Sequence, residues 1–176
     1  APANVAVGTS GQVLTSGGTG VAPTFQAAAG VELTPYFMAH SSSGQVPSSG
    51  TWTKLTFSYF QDSDGSALAN SRFTVPTGEG GRYYLALSCT LHSSSSYFVK
   101  NSNLKIYKNG STVAAAEQTG ASQYMSGDGA NVVSISFGTI LTLSAGDYIE
   151  GYGTVTSSAG AVSFSTRTFS GFKIGA

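Results

Sequence analysis

The side chains of this 176-residue chain that can act as acids, bases or nucleophiles are few and widely separated. His40 and His92 are its two histidines, and Cys89 is its single cysteine. A Ser–His–Asp triad can be assembled from residues far apart in the sequence, so the spacing of these residues does not exclude a hydrolase. However, the sequence contains no G-x-S-x-G elbow, no H-E-x-x-H motif and no Walker-type phosphate loop. We therefore expect no enzyme activity.

The closest pair of carboxylates is Asp62 and Asp64. Paired carboxylates can serve glycoside hydrolysis. The segment 62–66, DSDGS, also resembles the first part of a calcium loop, whose ligands follow the pattern D-x-[DN]-x-[DN]-G. It is shorter than that loop and lacks the later bidentate glutamate. We expect a solvated turn and no cofactor, with calcium at Asp62 and Asp64 as the alternative.

Composition argues against several classes of partner. Eight basic and eight acidic side chains give a net charge of zero, so no basic stripe is available to bind a nucleic acid. No run approaches about 18 apolar residues, so we expect no membrane insertion. The N-terminus, APAN, shows no signal peptide. Charged residues make up only 9% of the chain, which favours burial of surface between subunits.

Short runs rich in Val, Ile, Thr, Tyr and Phe alternate with Gly, Ser and Thr, as is typical of an all-β sandwich or barrel. The clearest strand is 82–91, which places Cys89 among large apolar side chains on one face, as a core residue. The other predicted strands are 51–60, 104–108, 132–143, 148–155, 161–167 and 169–174.

Turn residues separate these predicted strands. Asn109-Gly110 is a strong hairpin signal, because a type I′ turn needs positive φ at both central positions. Gly138, midway along 132–143, suggests a bulge or bend. Segments 92–103 and 117–131 are predicted to be long loops at the mouth of the sandwich, with 61–70 behind them.

Four ordered segments resemble the jelly-roll head shared by complement-q globular domains and tumour-necrosis-factor-like proteins. They are RFTVP (72–76) with GEGGRYY (78–84), LKIYKNG (104–110), LSAGDYI (143–149) and FSGFKI (169–174). The resemblance covers residues 31–176. It implies an antiparallel jelly-roll sandwich that assembles as a homotrimer, with one sheet of each subunit packed around a three-fold axis.

Several predicted strands carry aromatic side chains on both faces. A two-sheet sandwich buries one face of each sheet, so the remaining aromatics are candidates for a core between subunits. The candidates for this trimer interface are Tyr84, Tyr107, Tyr148 and Tyr152.

Residues 1–30 contain too little large apolar surface to fold by themselves. The strings VGTSGQVLTS (7–16) and APTF (22–25) resemble the "G-T-x-G-Q-V-L-x-S … A-P-T-W" unit of bacteriophage tail and head fibres, with Phe25 in place of Trp. In such fibres the unit is a small trimeric β element that docks neighbouring modules. The resemblance implies that Val13, Leu14 and Phe25 attach the chain to other virion proteins.

These resemblances predict a non-enzymatic fibre protein, made in the host cytoplasm and displayed on the virion surface, whose trimeric head binds a host cell-surface glycan or protein. Aromatic and hydroxyl-rich loops on a rigid sandwich suit such binding. The predicted receptor contacts are Tyr97, Phe98, Tyr124 and Met125. One alternative is a structural or decoration protein of a phage capsid or tail, fixed by residues 1–30. Another is a secreted cellular trimer of the complement or tumour-necrosis-factor type.

Overall fold

A computed structural model describes residues 5–28, 33–65, 67–93, 99–119, 131–157 and 161–175. Within these ranges the chain forms 13 strands. Two compact units are distinguished, Ala1–Glu32 and Leu33–Ala176. Among the described residues, no helix has the length and apolar character needed to cross a membrane.

The first unit is built on one antiparallel hairpin of strands β1 (Gln12–Thr15) and β2 (Thr24–Ala27). Leu14 lies opposite Phe25 in its register. A Cβ added at Gly8 would lie 2.5 Å from the Phe25 ring, so the absence of a side chain there lets the ring pack against the backbone. Both Leu14 and Phe25 are nevertheless exposed.

The second unit is a sandwich of two antiparallel sheets. Its eleven strands are β3 (Tyr36–Ser41), β4 (Thr53–Lys54), β5 (Tyr59–Asp62), β6 (Leu68–Ala69), β7 (Arg72–Thr74), β8 (Gly81–Ser93), β9 (Val99–Lys108), β10 (Ser111–Thr119), β11 (Asn131–Leu143), β12 (Tyr148–Ser157) and β13 (Val162–Gly175). Over the described residues, the five-stranded sheet has the order β11-β8-β13-β3-β5. The six-stranded sheet has the order β10-β9-β12-β7-β6, and β4 also pairs with β12. The predicted all-β antiparallel class is confirmed.

The core lies between the two sheets and follows the alternation seen in the sequence. On β8 the side chains of Tyr83, Leu85, Leu87, Cys89 and Leu91 are all buried. Aromatic rings from both sheets meet there, and the centroids of Phe37 and Phe73 are 4.3 Å apart in a stacked pair. Burial raises the pKa of Cys89 to about 12, as befits a core residue.

The predicted single strand 51–60 is wrong. The chain instead leaves the six-stranded sheet after β4 and enters the five-stranded sheet at β5. The crossing is held by backbone bonds to both sheets: the Leu55 N–H donates to the Gly151 oxygen (2.9 Å) and the Ser58 N–H to the His40 oxygen (3.1 Å). Leu55 is buried between the sheets. Apolar alternation cannot reveal such a crossing, because the segment stays in contact with the same core.

The predictions for turns and loops were partly right and partly wrong. The hairpin at Asn109-Gly110 is confirmed, with φ of 52° and 75°. The bulge at Gly138 is wrong, because β11 and β8 pair there without a register shift. An added Cβ at Gly138 would lie 2.5 Å from the Tyr84 hydroxyl oxygen, so the glycine makes room for that ring. Strand structure enters both segments that were predicted as loops, because β8 extends to Ser93, β9 begins at Val99 and β10 extends to Thr119.

Strands predicted separately at 161–167 and 169–174 form one strand, β13, with a register shift between Phe164 and Arg167. Arg167 is 1% exposed and sits on the core side of the sheet. Its guanidinium donates to backbone oxygens of Thr56 (2.9 and 3.1 Å), Ser43 (2.9 Å), Ser165 (3.2 Å) and Phe164. The buried cation therefore ties β13 to the segment that crosses between the sheets.

Candidate functional site

The outer face of the five-stranded sheet carries a row of large apolar side chains, which we call the apolar row. Strand register places Ile140, Tyr84, Phe172 and Tyr36 side by side across four strands. The rings of Tyr84 and Phe172 are 5.5 Å apart. Ile140 is 55% exposed and Tyr36 is 41% exposed, although both lie within a sheet.

Below the apolar row this face is covered by small, uncharged side chains. Outward positions on β8 and β11 include Ser88, Thr90, Ser134 and Ser136, and the hydroxyl groups of Thr90 and Ser134 are 3.1 Å apart. A depression of about 270 Å³ next to Tyr84 is lined partly by these residues. Because these positions carry no lysine, glutamate or aspartate, a partner that covers them removes few strongly hydrated groups from water, and the desolvation cost of binding is small.

The outer face of the six-stranded sheet is different, because it holds a buried ion cluster. Glu150 on β12 is 3% exposed. Its Oε1 accepts hydrogen bonds from Lys54 Nζ (2.7 Å) and from Arg72 Nη2 (2.8 Å) and Nε (2.9 Å). The two cations converge because β4 and β7 both pair with β12. Burial alone would raise the pKa of Glu150, but the bonds and charges of Lys54 and Arg72 lower it, so the carboxylate stays ionised.

Aromatic rings surround this cluster. The Arg72 guanidinium lies 3.7 Å from the centroid of the Tyr148 ring. Tyr107 and Tyr152 form an edge-to-face pair with centroids 4.0 Å apart. Burial and the neighbouring Glu150 raise the pKa of Tyr152, so its hydroxyl keeps its proton.

One further cation lies beside Tyr152. Lys105 is opposite Tyr152 in register, and its Nζ lies 4.4 Å from the centroid of the Trp52 ring. We call the whole set the ionic face: Trp52, Lys54, Arg72, Lys105, Tyr107, Tyr148, Glu150 and Tyr152.

The four tyrosines predicted to form the trimer interface do not lie together. Tyr84 is in the apolar row, on the five-stranded sheet. Tyr107, Tyr148 and Tyr152 belong to the ionic face, on the other sheet. A contact made through one sheet uses either Tyr84 or the other three. Sequence alternation identified all four as outward-facing but could not assign them to sheets, and their role in an interface stays a prediction.

The predicted metal ligands serve a turn. Asp62 Oδ1 accepts the N–H groups of Asp64 (3.0 Å) and Gly65, and its Oδ2 accepts the Leu68 N–H (3.0 Å). Backbone donors therefore occupy both oxygens of this carboxylate. Among the described residues no group of three or more His, Cys, Asp and Glu is placed to hold a metal ion. Calcium at this loop stays an untested alternative.

The remaining predicted residues fall in two places. Tyr97, Phe98, Tyr124 and Met125 lie outside the residues that the structure describes. Val13, Leu14 and Phe25 are exposed apolar side chains of the first unit. A depression of about 350 Å³ in that unit is lined by Phe25 together with Val5, Val7 and Pro23.

Sequence reasoning missed the centre of the ionic face. Glu150 is 96 residues from Lys54 and 78 residues from Arg72, so no local motif joins them. The available signal was an isolated glutamate between the apolar Ile149 and the glycine-flanked Tyr152 of the same strand. Such a residue on an otherwise weakly charged strand needs a partner from a neighbouring strand.

Comparison with known proteins identifies the architecture. The globular domain of zebrafish complement 1qA protein superposes with a TM-score of 0.50 and 17% sequence identity, covering 80% of this chain and 98% of that one. No protein-family model matches the chain, and no curated protein does. At this identity the similarity shows the fold. The chain therefore has the antiparallel jelly-roll fold of a complement-q-like globular domain, as its sequence motifs predicted.

Proposed function

We propose that this chain is a non-enzymatic bacteriophage fibre protein, displayed on the virion surface, whose homotrimeric head binds a host cell-surface glycan or protein. The single observation that carries the trimeric part is the apolar row. The complement-q-like fold is a binding and structural architecture, which supports a role without catalysis. The assignment to a fibre rests on the resemblance of residues 7–16 and 22–25 to the unit that recurs in bacteriophage tail and head fibres.

The apolar row supports assembly through the five-stranded sheet. The exposed Ile140, Tyr84 and Tyr36, with the half-buried Phe172 between the two tyrosines, form a contiguous patch in adjacent register. Large apolar patches on soluble proteins mark interaction sites. A second copy that covers this row removes its apolar surface from water, which favours association. Under this arrangement Tyr84 is an interface residue, and the ionic face stays accessible.

The first unit supports attachment to other proteins. A two-stranded hairpin is marginally stable by itself. Its large side chains Val13, Leu14 and Phe25 are 36–54% exposed. Contacts with other copies or with neighbouring virion proteins would bury them. The same observation favours the second candidate function, a structural or decoration protein of a capsid or tail that binds no receptor. The third, a secreted cellular trimer, is favoured by the complement 1qA similarity.

Light scattering tests the assembly. We expect a mass three times that of the 17.9 kDa chain. Ile140→Lys inserts an unpaired charge into the apolar row and is expected to give monomers. Val46→Lys is the matched control, because Val46 is 63% exposed and lies outside the sheets, so it should leave the trimer intact. A wild-type mass of 17.9 kDa, or an unchanged Ile140→Lys trimer, contradicts the proposed interface.

Adsorption experiments test the biological role. Labelled wild-type protein is expected to bind host cells, and virus particles that lack the protein are expected to adsorb poorly. Normal adsorption of such particles, together with no binding of the purified protein, contradicts receptor binding. The position of the chain in a particle reconstruction then separates the decoration protein from the cellular trimer.

A further inference from the structure

We propose that the ionic face binds an acidic saccharide, with its cations holding the carboxylate groups and its aromatic side chains contacting the sugar rings. The proposal deepens the host-binding function above and rests on it. It differs from the predicted receptor contacts, which were placed in loops. It assigns binding instead to the exposed face of the six-stranded sheet.

The ionic face concentrates positive charge on a chain that has little. Lys54, Arg72 and Lys105 are three of its eight lysines and arginines. Lys54 and Arg72 bind the buried carboxylate of Glu150, and Glu117 lies opposite Lys105 in register. Three cations against two carboxylates leave an excess of one positive charge. On the other sheet, the outward positions of β8 and β11 carry one charged side chain, Arg82, rather than a group of them.

The two cations bound to Glu150 retain donors for a ligand. Lys54 and Arg72 both direct their bonds to a single oxygen, Glu150 Oε1. A lysine has three N–H donors and an arginine has five, so most remain for other acceptors. The side chains are 31% and 41% exposed, so a bound anion can reach them. Guanidinium groups match carboxylates in geometry and charge.

The face is also preorganised. The buried Glu150 fixes the positions of Lys54 and Arg72, and the Tyr148 ring supports the guanidinium. Binding to groups that are already held loses little side-chain entropy. A buried ion pair is a weak source of stability compared with apolar packing, so stability alone does not explain this cluster. An anion-binding role does.

The aromatic residues favour a saccharide. Trp, Tyr and Arg supply much of the binding energy at recognition surfaces, because they combine broad apolar area with hydrogen-bond donors. Trp52, Tyr107 and Tyr152 provide both beside the cations. Because cations lie over the rings of Trp52 and Tyr148, a neutral sugar would stack on them less freely than an acidic one, whose carboxylates pair with those cations.

Calorimetric titration of the full chain tests the proposal with three probes of equal length: a galacturonic acid hexamer, maltohexaose and a glutamate hexamer. We expect the galacturonate hexamer to bind at least about tenfold more tightly than maltohexaose and the glutamate hexamer. Raising the salt concentration from about 50 to about 300 mM should weaken its binding several-fold, because salt ions screen the attraction between the cations of the protein and the carboxylates of the ligand. Equal binding of maltohexaose shows that charge is not used, and equal binding of the glutamate hexamer indicates an acidic protein partner. Either result overturns the proposal, as does failure to bind the galacturonate hexamer.

Variants locate the site. Arg72→Gln and Lys105→Gln are each expected to weaken galacturonate binding about fivefold or more, in line with the loss of a charged hydrogen bond. Arg82→Gln is the matched control: it makes the same change in charge at an exposed arginine of the other sheet, and should leave affinity within about twofold. Because Arg72→Gln removes a partner of buried Glu150, Lys105→Gln keeps the test valid if that variant unfolds. An equal loss of galacturonate affinity in Arg82→Gln overturns the assignment of the binding site to the ionic face.

Host-cell binding separates the two levels of proposal. Wild-type protein that binds host cells, together with Lys105→Gln protein that binds them equally well, refutes the ionic face but leaves the host-binding function intact. Wild-type protein that binds no host cells refutes the host-binding function itself.

Discussion

Arg167 offers the most direct test of how the sandwich is held together. Replacing it by methionine, which is apolar and of similar length, removes all the guanidinium bonds to the backbone oxygens of Ser43, Thr56, Phe164 and Ser165. A hydrogen bond from a charged donor contributes about 1.5–3 kcal/mol. Removing a buried charge recovers part of its desolvation cost, and carbonyls near the surface regain water. We expect a net loss of about 3 kcal/mol in the free energy of unfolding.

Urea unfolding at a fixed chain concentration measures this loss, because assembly makes apparent stability depend on concentration. Arg167→Lys should fall between the wild type and Arg167→Met, since an ammonium group keeps the charge but cannot reach all of these acceptors at once. Arg82→Met is the matched control. Arg82 is exposed at the start of β8, so its replacement should change stability by no more than about 0.5 kcal/mol. An Arg167→Met protein as stable as the wild type would refute the reasoning.

Two further predictions concern backbone packing and acid stability. Gly171→Ala places a Cβ 2.6 Å from Leu85 Cδ2 and 2.8 Å from the Tyr84 backbone oxygen, so we expect thermal or urea unfolding to show a loss of about 2–3 kcal/mol in the free energy of unfolding. Gly44→Ala is the control and should be near neutral, because its Cβ meets nothing closer than 3.7 Å. Equal effects of the two substitutions would contradict the packing argument. Burial alone would raise the pKa of Asp147, but bonds from Lys108, the Ser144 N–H and Asn109 lower it to about 2. Its stabilisation is therefore complete above the unfolded pKa of about 3.9 and is lost as the pH falls from there to about 2. Asp147→Asn should reduce stability at neutral pH and flatten that acid-induced loss, and an unchanged acid profile would argue against the assignment.

Strong periodicity allowed much of the fold to be predicted from the sequence. On β8 and β11, large apolar residues alternate with small polar ones, and the observed burial follows that alternation. The hairpin after β9 was predictable because its turn needs two residues with positive φ. Segment 51–60 failed because β4 and β5 belong to different sheets, and only tertiary pairing distinguishes a strand that continues from one that crosses.

The candidate site was less predictable. Outward-facing tyrosines could be identified, but the sheet to which each belongs depends on pairing between distant strands. The Lys54–Glu150–Arg72 cluster joins three strands that are far apart in sequence. Its members look like isolated charged residues until the register of β4, β7 and β12 is known.

Cys89 has a chemical consequence for the intact protein. Thiolate is the form that reacts with oxidants and with other thiols, and the buried Cys89, with its pKa near 12, supplies almost none of it in the folded sandwich. Oxidising surroundings therefore leave folded chains unlinked. Covalent dimers through this sulphur form only from chains whose sheets have separated, so their amount in an aged sample reports how often the head has opened.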